Sequence, residues 1–373
     1  MRIGIDARCL EMPRGGVARI LVNVLTRWPK MTDRHRYILF WASHVPQDDF
    51  LTQSCFEHVM MHVPSILQRP KALCEQLLLP WYIKRAKLDL FFAPWYTAPL
   101  FCDCLKSVIG AWDISYTTHS EHYPFGSSLW LSSVSKYVCR RSSGIFTCSP
   151  FDGRQIEKYY EVPASQICVL PLAADDKFKP TNDLYKIESI RLKYHLPKRY
   201  ILSLGVIYNR RNVDVIIKAF QRIYDEFPDA GLLIAGFNLT QPPIDIEDLM
   251  KQIIQEGRGW YLPRVPEDEL MDIYSGAWYY ICTSTVDGET IMLKESMKCG
   301  TPVITSPLLE ESIDGKGIII KDPTDIETTA ETFRRIFSNP DFRERYAREG
   351  YEWVQTLSWD KTAELALMFL ESR

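Results

Sequence analysis

A chain of 373 residues exceeds what one hydrophobic core ordinarily serves and fits two domains of ordinary size. With 46% hydrophobic and 24% charged residues the composition excludes a disordered chain, and no apolar run approaches the ~18–20 residues of a membrane helix. The net charge of −3 is unevenly spread: up to residue 180 there are 21 Lys+Arg against 16 Asp+Glu, and beyond it 23 against 31.

That basic N-terminal half suits an anionic partner such as a membrane surface or a lipid phosphate, although a large solvated surface can carry the same excess by sampling alone. The opening MRIGIDARCLEMPRGG has no apolar signal region. Ten cysteines show no CxxC pair, the closest spacing being Cys102–Cys104, so buried reduced thiols are expected rather than metal ligands. The expectation is a cytoplasmic protein.

In chain order, strand-like IGID (3–6) leads through Gly15-Gly16 to Val17, Ile20, Leu21, Val24, Leu25 and Trp28, the stripe of an amphipathic helix. The apolar run SVIGA (107–111) puts Trp112-Asp113 at a strand's C-terminal edge, where ligands bind in open α/β sheets, which marks Asp113 as a site candidate. His119 and His122 lack a third metal ligand and read as solvated loop histidines. Residues 171–199, polar with prolines at 171, 180 and 197, read as the join between two halves.

The second half restarts the same way. Strand-like YILSLG (200–205) is followed by YNRRN (208–212) and a helix carrying Val213, Ile216, Ile217, Phe220, Ile223 and Phe227. GLLIAG (231–236), WYYICTS (278–284) and TPVITS (301–306) are further buried strands. DIED (245–248) superficially resembles an acidic metal motif, but acids suit the first turn of a helix over DLMKQIIQ. From Pro340 to the end the pattern is helical, broken near Leu357-Ser358-Trp359. Strand–helix alternation predicts parallel sheets of doubly wound type, and two such series predict two Rossmann-like domains.

Two stretches carry the candidate chemistry. Arg210 and Arg211 stand between a strand and a helix start, with Asn212 as N-cap, where guanidiniums can hold a diphosphate; the alternative is a solvated basic face. In DGETIMLKESMKCGTPVI (287–304), Thr290 reads as N-cap, Ile291 to Cys299 as helix and Gly300 as its C′ residue. Such a helix start favours an anion, and Glu295 about a turn inside it suits a ribose diol. The plainer reading is that Glu295 suits a helix's early turns and Asp287 a turn. Gly15-Gly16 would let backbone approach a ligand closely, but G-x-G-x-x-G is absent from both halves, which argues against a dinucleotide.

Taken together, IDAR with the Gly-Gly loop (5–16), WDIS (112–115), VPASQICVLPLAAD (162–175), LGVIYNRRNVDVIIKAF (204–220), LLIAG (232–236), RVPEDELMDIYSGA (264–277), the 287–304 stretch and SWDKTAE (358–364) resemble, in order and spacing, the retaining GT-B glycosyltransferases of the "glycosyl transferases group 1" type, mannosyltransferase-like branch. The resemblance implies an α/β GT-B fold of two Rossmann-like domains facing each other across a cleft: 1–175 on the acceptor side, 176–355 on the donor side, and 356–373 a helix returning to the first. It implies a metal-independent transferase without cofactor that moves a hexose, GDP-mannose being the favoured donor, to a glycan or lipid-linked saccharide. No nucleic acid is expected as partner, and peripheral contact with the inner face of a membrane is.

The resemblance also assigns roles. Asp287 and Glu295 match the family's two acids, which meet donor sugar and ribose. Gly288, Glu289, Thr290, Ile291 and Met292 match the turn that meets sugar or phosphate, Arg210 and Arg211 its basic pair, Gly15 and Gly16 its N-terminal loop, and Asp113 an aspartate of the reaction centre. Three departures stand out: Asp287 is shorter than the usual glutamate, Glu289 to Met292 replace FGLP, and Trp112 replaces a histidine beside the donor sugar. These leave open a non-catalytic nucleotide-sugar-binding scaffold or a GT-B sugar-nucleotide epimerase.

Overall fold

The computed structural model describes residues 1–12, 15–64, 71–100, 105–123, 125–181 and 183–373; Cys102 and Cys104 lie outside them. The chain divides into two compact units, Met1–Leu172 with Trp359–Arg373, and Ala173–Ser358.

The first unit is built on an all-parallel seven-stranded sheet. Its strands are β1 (Arg2–Asp6), β2 (Arg36–Trp41), β3 (Phe56–Met60), β4 (Leu90–Ala93), β5 (Lys106–Gly110), β6 (Gly144–Thr147) and β7 (Ile167–Val169), in the order β3-β2-β1-β4-β5-β6-β7. The expected stripe is the buried face of the helix Gly16–Met31: Ile20, Leu21, Val24, Leu25 and Trp28 all point to the core. The final helix, Trp359–Glu371, packs on it. Trp28 donates its indole N–H to the Ala363 carbonyl at 2.9 Å, Arg27 pairs with Asp360 at 2.7 Å, and His35 meets Glu371 at 2.8 Å.

The second unit holds β8 (Arg199–Leu204), β9 (Ala230–Ala235), β10 (Gly259–Leu262), β11 (Tyr279–Cys282), β12 (Val303–Thr305) and β13 (Ile318–Ile319). They form a parallel sheet in the order β10-β9-β8-β11-β12-β13. Strand order reverses between β8 and β11, so the loops after Leu204 and Cys282 open side by side at the sheet's C-terminal edge. The helix expected to reach Phe227 ends sooner, at Val213–Gln221. Turns with three-residue bonds, Phe227 N–H to Tyr224 among them, carry the chain to Pro228, which disfavours helix before it. Ile223 is still fully buried. Asp245 caps the helix Ile246–Gln255 by accepting from the Asp248 amide, so the DIED acids begin a helix as their spacing suggests.

Two glycines fix the close approach of β8 and β9 at this edge. Gly236 has φ +142°, and a Cβ there would lie 1.9 Å from the Gly205 carbonyl oxygen. Backbone cannot yield as a flexible side chain would. Gly236→Ala is therefore expected to lose at least about 2 kcal/mol of stability from strain and overlap, read as a lower urea midpoint at unchanged m-value.

Candidate active site

The loop after β8 forms a short helical turn, Asn209–Arg211, and Asn212 follows at φ +51°. Asn212 stands at the helix start but does not cap it: its amide donates to the Thr283 carbonyl at 2.8 Å. That bond is one of several between the two adjacent loops. Thr283 Oγ1 donates to the Arg211 carbonyl at 3.0 Å, and the Thr285 amide donates to the Arg210 carbonyl at 3.0 Å. The sheet's switch point thus holds the arginine turn rigidly against the chain leaving β11.

The two arginines then differ. Arg210 lies 4.1 Å over the Tyr208 ring and pairs through Nε with Asp287 Oδ1 at 2.8 Å, while the other Asp287 oxygen accepts from Ser284 at 3.2 Å. Arg211 makes no side-chain hydrogen bond or ion pair among the described residues, and its Nε is buried without a partner. Burial opposes its charge and the nearby Asp287 carboxylate favours it, and the net direction is a raised pKa. The Cys282 thiol is itself pushed up by burial and stays neutral near pH 7. The outer end of the Arg211 guanidinium and the sulfur of Met292 crowd over Gly205, whose added Cβ would meet them at 2.5 and 2.6 Å. Gly205 (φ +122°) therefore leaves the space in which arginine turn and 287–304 stretch converge. A half-buried cation that no anion pairs directly, with its Nε orphaned, is costly for a fold alone and points to a ligand that supplies the charge.

Within 287–304 the helix is Ile291–Lys298, with Cys299 as C-cap. Gly300 follows at φ +78°; its amide bonds to Met297, and that of Thr301 to Ser296, the two bonds of a Schellman stop. At the other end the expectation is corrected: Thr290 occupies the N-cap position, but its hydroxyl is buried without a partner and caps nothing. The first helix amides are left uncapped by a side chain, with capacity for a ligand. Glu289 turns inward, pairing with Lys294 at 2.5 Å with both side chains 4% exposed. Burial raises the Glu289 pKa despite that partner, and its second oxygen has no partner. Gly288 is buried, and Ile291 and Met292 are half-buried. Glu295 is 3% exposed, and one oxygen accepts from the Tyr274 phenol at 3.1 Å, whose own pKa burial and Glu295 raise.

In the first unit, Asp113 follows β5 and its carboxylate is well engaged. One oxygen accepts from the Tyr96 hydroxyl at 3.0 Å, the other from the Ser115 amide at 2.9 Å and the Ser115 hydroxyl. Trp112 is buried, its indole N–H donated to the Pro94 carbonyl at 2.7 Å. Gly15 and Gly16 are exposed, and nothing lies within 4 Å of a Cβ added to either, so neither is required by crowding. His119 bonds to its neighbour Thr118 at 2.9 Å. Eight described cysteines are free thiols, six of them buried.

One further cluster leaves little trace in the local sequence pattern. At the β1–β4 switch point Arg8 makes two bonds to Asp6, at 2.7 and 2.6 Å, and a third to Glu75 at 3.2 Å, while Thr97 donates to Glu75 at 3.0 Å. The IDAR motif supplies Asp6 and Arg8, but Glu75 sits far along the chain on a π-helical turn that periodicity does not reveal.

Two all-parallel α/β units are the architecture of the GT-B glycosyltransferase fold. Residues 187–353 match the family Glycosyl transferases group 1 and residues 14–178 match Glycosyltransferase Family 4, so the two matches between them span most of both units. The chain is 23% identical to O-antigen chain mannosyltransferase B of Escherichia coli over 96% of this chain and 97% of that protein. It is 20% identical to the serotype-specific mannosyltransferase WbdA of the same organism, over 70% of this chain and only 33% of the relative. Among solved structures it resembles WaaG, a glycosyltransferase involved in lipopolysaccharide biosynthesis (TM-score 0.75, 16% identity, 98% of each chain). It also resembles Anabaena Alr3699/HepE in complex with UDP and glucose (TM-score 0.74, 16% identity, all of each chain). Among the described residues no helix is long and apolar enough to cross a membrane.

Proposed function

We propose that the protein is a retaining hexosyltransferase that takes mannose from GDP-mannose and adds it to a glycan or lipid-linked saccharide in cell-surface polysaccharide synthesis. The observation that carries this reading is the half-buried Arg211, its Nε buried without a partner, beside Arg210 at the switch point of the second unit. The uncapped Ile291–Lys298 helix shares that end of the sheet. The names of the mannosyltransferase relatives support the sugar and the product class.

Cleavage of the anomeric C–O bond leaves its electron pair on the diphosphate and positive charge on the sugar carbon. Arg211, Arg210 and the helix amides stabilise the departing diphosphate as its charge develops. The acceptor hydroxyl forms the new C–O bond on the same face, and its proton passes to the departing phosphate oxygen, so configuration is kept. Asp287 then stands near the sugar while holding Arg210, and Asp113, already accepting three hydrogen bonds, acts through orientation. Two guanidiniums take the electrostatic part a divalent cation plays elsewhere, so no metal or cofactor enters the proposal. Transfer of labelled hexose from GDP-mannose to a lipid-linked saccharide should persist in excess chelator. Loss that magnesium restores would overturn the metal-free part, and donor binding without transfer to any acceptor would favour the scaffold.

Glu295, held by Tyr274, is assigned to the ribose diol. Glu295→Ala should weaken calorimetric binding of GDP about tenfold and leave that of inorganic pyrophosphate unchanged. Equal affinity of variant and parent for GDP removes the assignment.

A further inference from the structure

The chain leaving β4 enters a turn over residues 94–97 at the C-terminal edge of the first sheet, beside Asp113. Bonds from outside the turn hold all of its residues but one. The Pro94 carbonyl accepts from the Trp112 indole at 2.7 Å. The Tyr96 amide donates to the Gly110 carbonyl, and the Tyr96 carbonyl accepts from the Ser135 hydroxyl, both at 2.8 Å. The Tyr96 phenol donates to Asp113 and the Thr97 hydroxyl to Glu75, both at 3.0 Å. Gly110 permits this closeness, since a Cβ there would lie 2.6 Å from the Pro94 carbonyl oxygen.

Tyr96 has φ +46°, a left-handed conformation that a bulky residue keeps only where its surroundings over-determine it. Burial and the Asp113 carboxylate raise the Tyr96 pKa, so the phenol keeps its proton and stays a donor. Glu75, the anchor of Thr97, is itself fixed by Arg8, which makes two bonds to Asp6. The charges at the β1–β4 switch point thus buttress this turn. Trp112, set where the resembled family has histidine, pins it from the β5 side.

The residue the turn displays is Trp95. It is 44% exposed, and its side chain makes no hydrogen bond among the described residues. Its ring stands edge-on to that of Tyr96, with 6.3 Å between centres, next to the phenol that bonds Asp113. A strained, anchored turn around one outward aromatic ring suits display rather than packing.

We propose that Trp95 is the platform on which a pyranose ring of the acceptor saccharide stacks, with Tyr96 and Thr97 as positioning residues that fix it beside Asp113. The axial C–H bonds of a pyranose carry slight positive charge and lie well on the electron-rich face of an indole. Such a contact reads the sugar and not its carrier. A bilayer is the poorer partner, because residues 94–98 hold no charge to meet lipid phosphates. The inference rests on the transferase reading above and names what that reading leaves open on the first unit.

Sugar binding is tested on the full chain without donor, so that it succeeds or fails apart from the donor assignment. In saturation-transfer NMR with mannobiose, cellobiose and lactose, the parent should saturate ring protons of at least one. Trp95→Ala should abolish that signal and Trp95→Phe should keep part of it, both at unchanged GDP affinity and thermal midpoint. In transfer assays the KM for the saccharide should rise about tenfold in Trp95→Ala. Thr97→Val should raise it less, with KM moved more than kcat. The proposal is overturned by a parent that saturates none of the sugars, or by Trp95→Ala that saturates one like the parent. Vesicle flotation that Trp95→Ala removes would also overturn it, in favour of a membrane contact. Failure of the donor reading would show differently, as a parent that binds no GDP.

Discussion

Replacing Arg211 with alanine should cut hexose transfer roughly a thousandfold, the scale of losing one fixed charge that acts on a developing oxyanion. Stability should not fall with it. The guanidinium has no hydrogen-bonded or ionic partner among the described residues and its Nε is buried unsatisfied, so the fold loses little of what it gains elsewhere from packing. The combination is the informative part: lower kcat at an unchanged thermal midpoint identifies a residue held for a ligand. An equal fall of activity and midpoint would make Arg211 structural. Arg210→Ala should behave differently, because it also frees Asp287, its partner at 2.8 Å. Some loss of stability is expected there alongside lost activity.

The largest stability effect is expected at Lys294. Lys294→Met leaves the Glu289 carboxylate buried, with one oxygen newly orphaned and the other already so. Breaking a buried pair from one side costs about 3–5 kcal/mol, since the remaining charge keeps its desolvation penalty. Removing both charges is a different matter. Glu289→Leu with Lys294→Met should recover most of the loss, because apolar replacement of a buried pair is often neutral. Denaturant midpoints of the three proteins check both statements, and a single variant as stable as the double would show that Glu289 finds another partner. The pair also clarifies the departure from FGLP: polar residues here occupy a buried turn, and the charges compensate each other rather than facing solvent.

Much of this could be read in advance where a local pattern carries the information. The stripe Ile20 to Trp28, the start at Asp245 and the Gly300 stop depend on spacing within a few residues, and they reappear as expected. So do the strands after which Arg210, Arg211 and Asp113 stand. What failed depends on distant partners. Asn212 looked like a cap by type, but a carbonyl of the neighbouring loop after β11 claims its amide. Thr290 sits in the right place, yet its buried hydroxyl bonds to no helix amide. Glu289 is drawn inward by a lysine five residues on, a step that is no helical neighbour of the usual kind. Glu75 joins Arg8 only because the sheet order places β1 beside β4.

The central claim is that the arginine turn and the helix start of the second unit hold the diphosphate of a nucleotide sugar. Calorimetric titration of the full chain with GDP and with guanosine tests it most directly. GDP should bind, guanosine should bind far more weakly, and Arg211→Ala should remove most of the difference. Equal affinity of the parent for GDP and guanosine, or a difference that survives Arg211→Ala intact, would contradict the account.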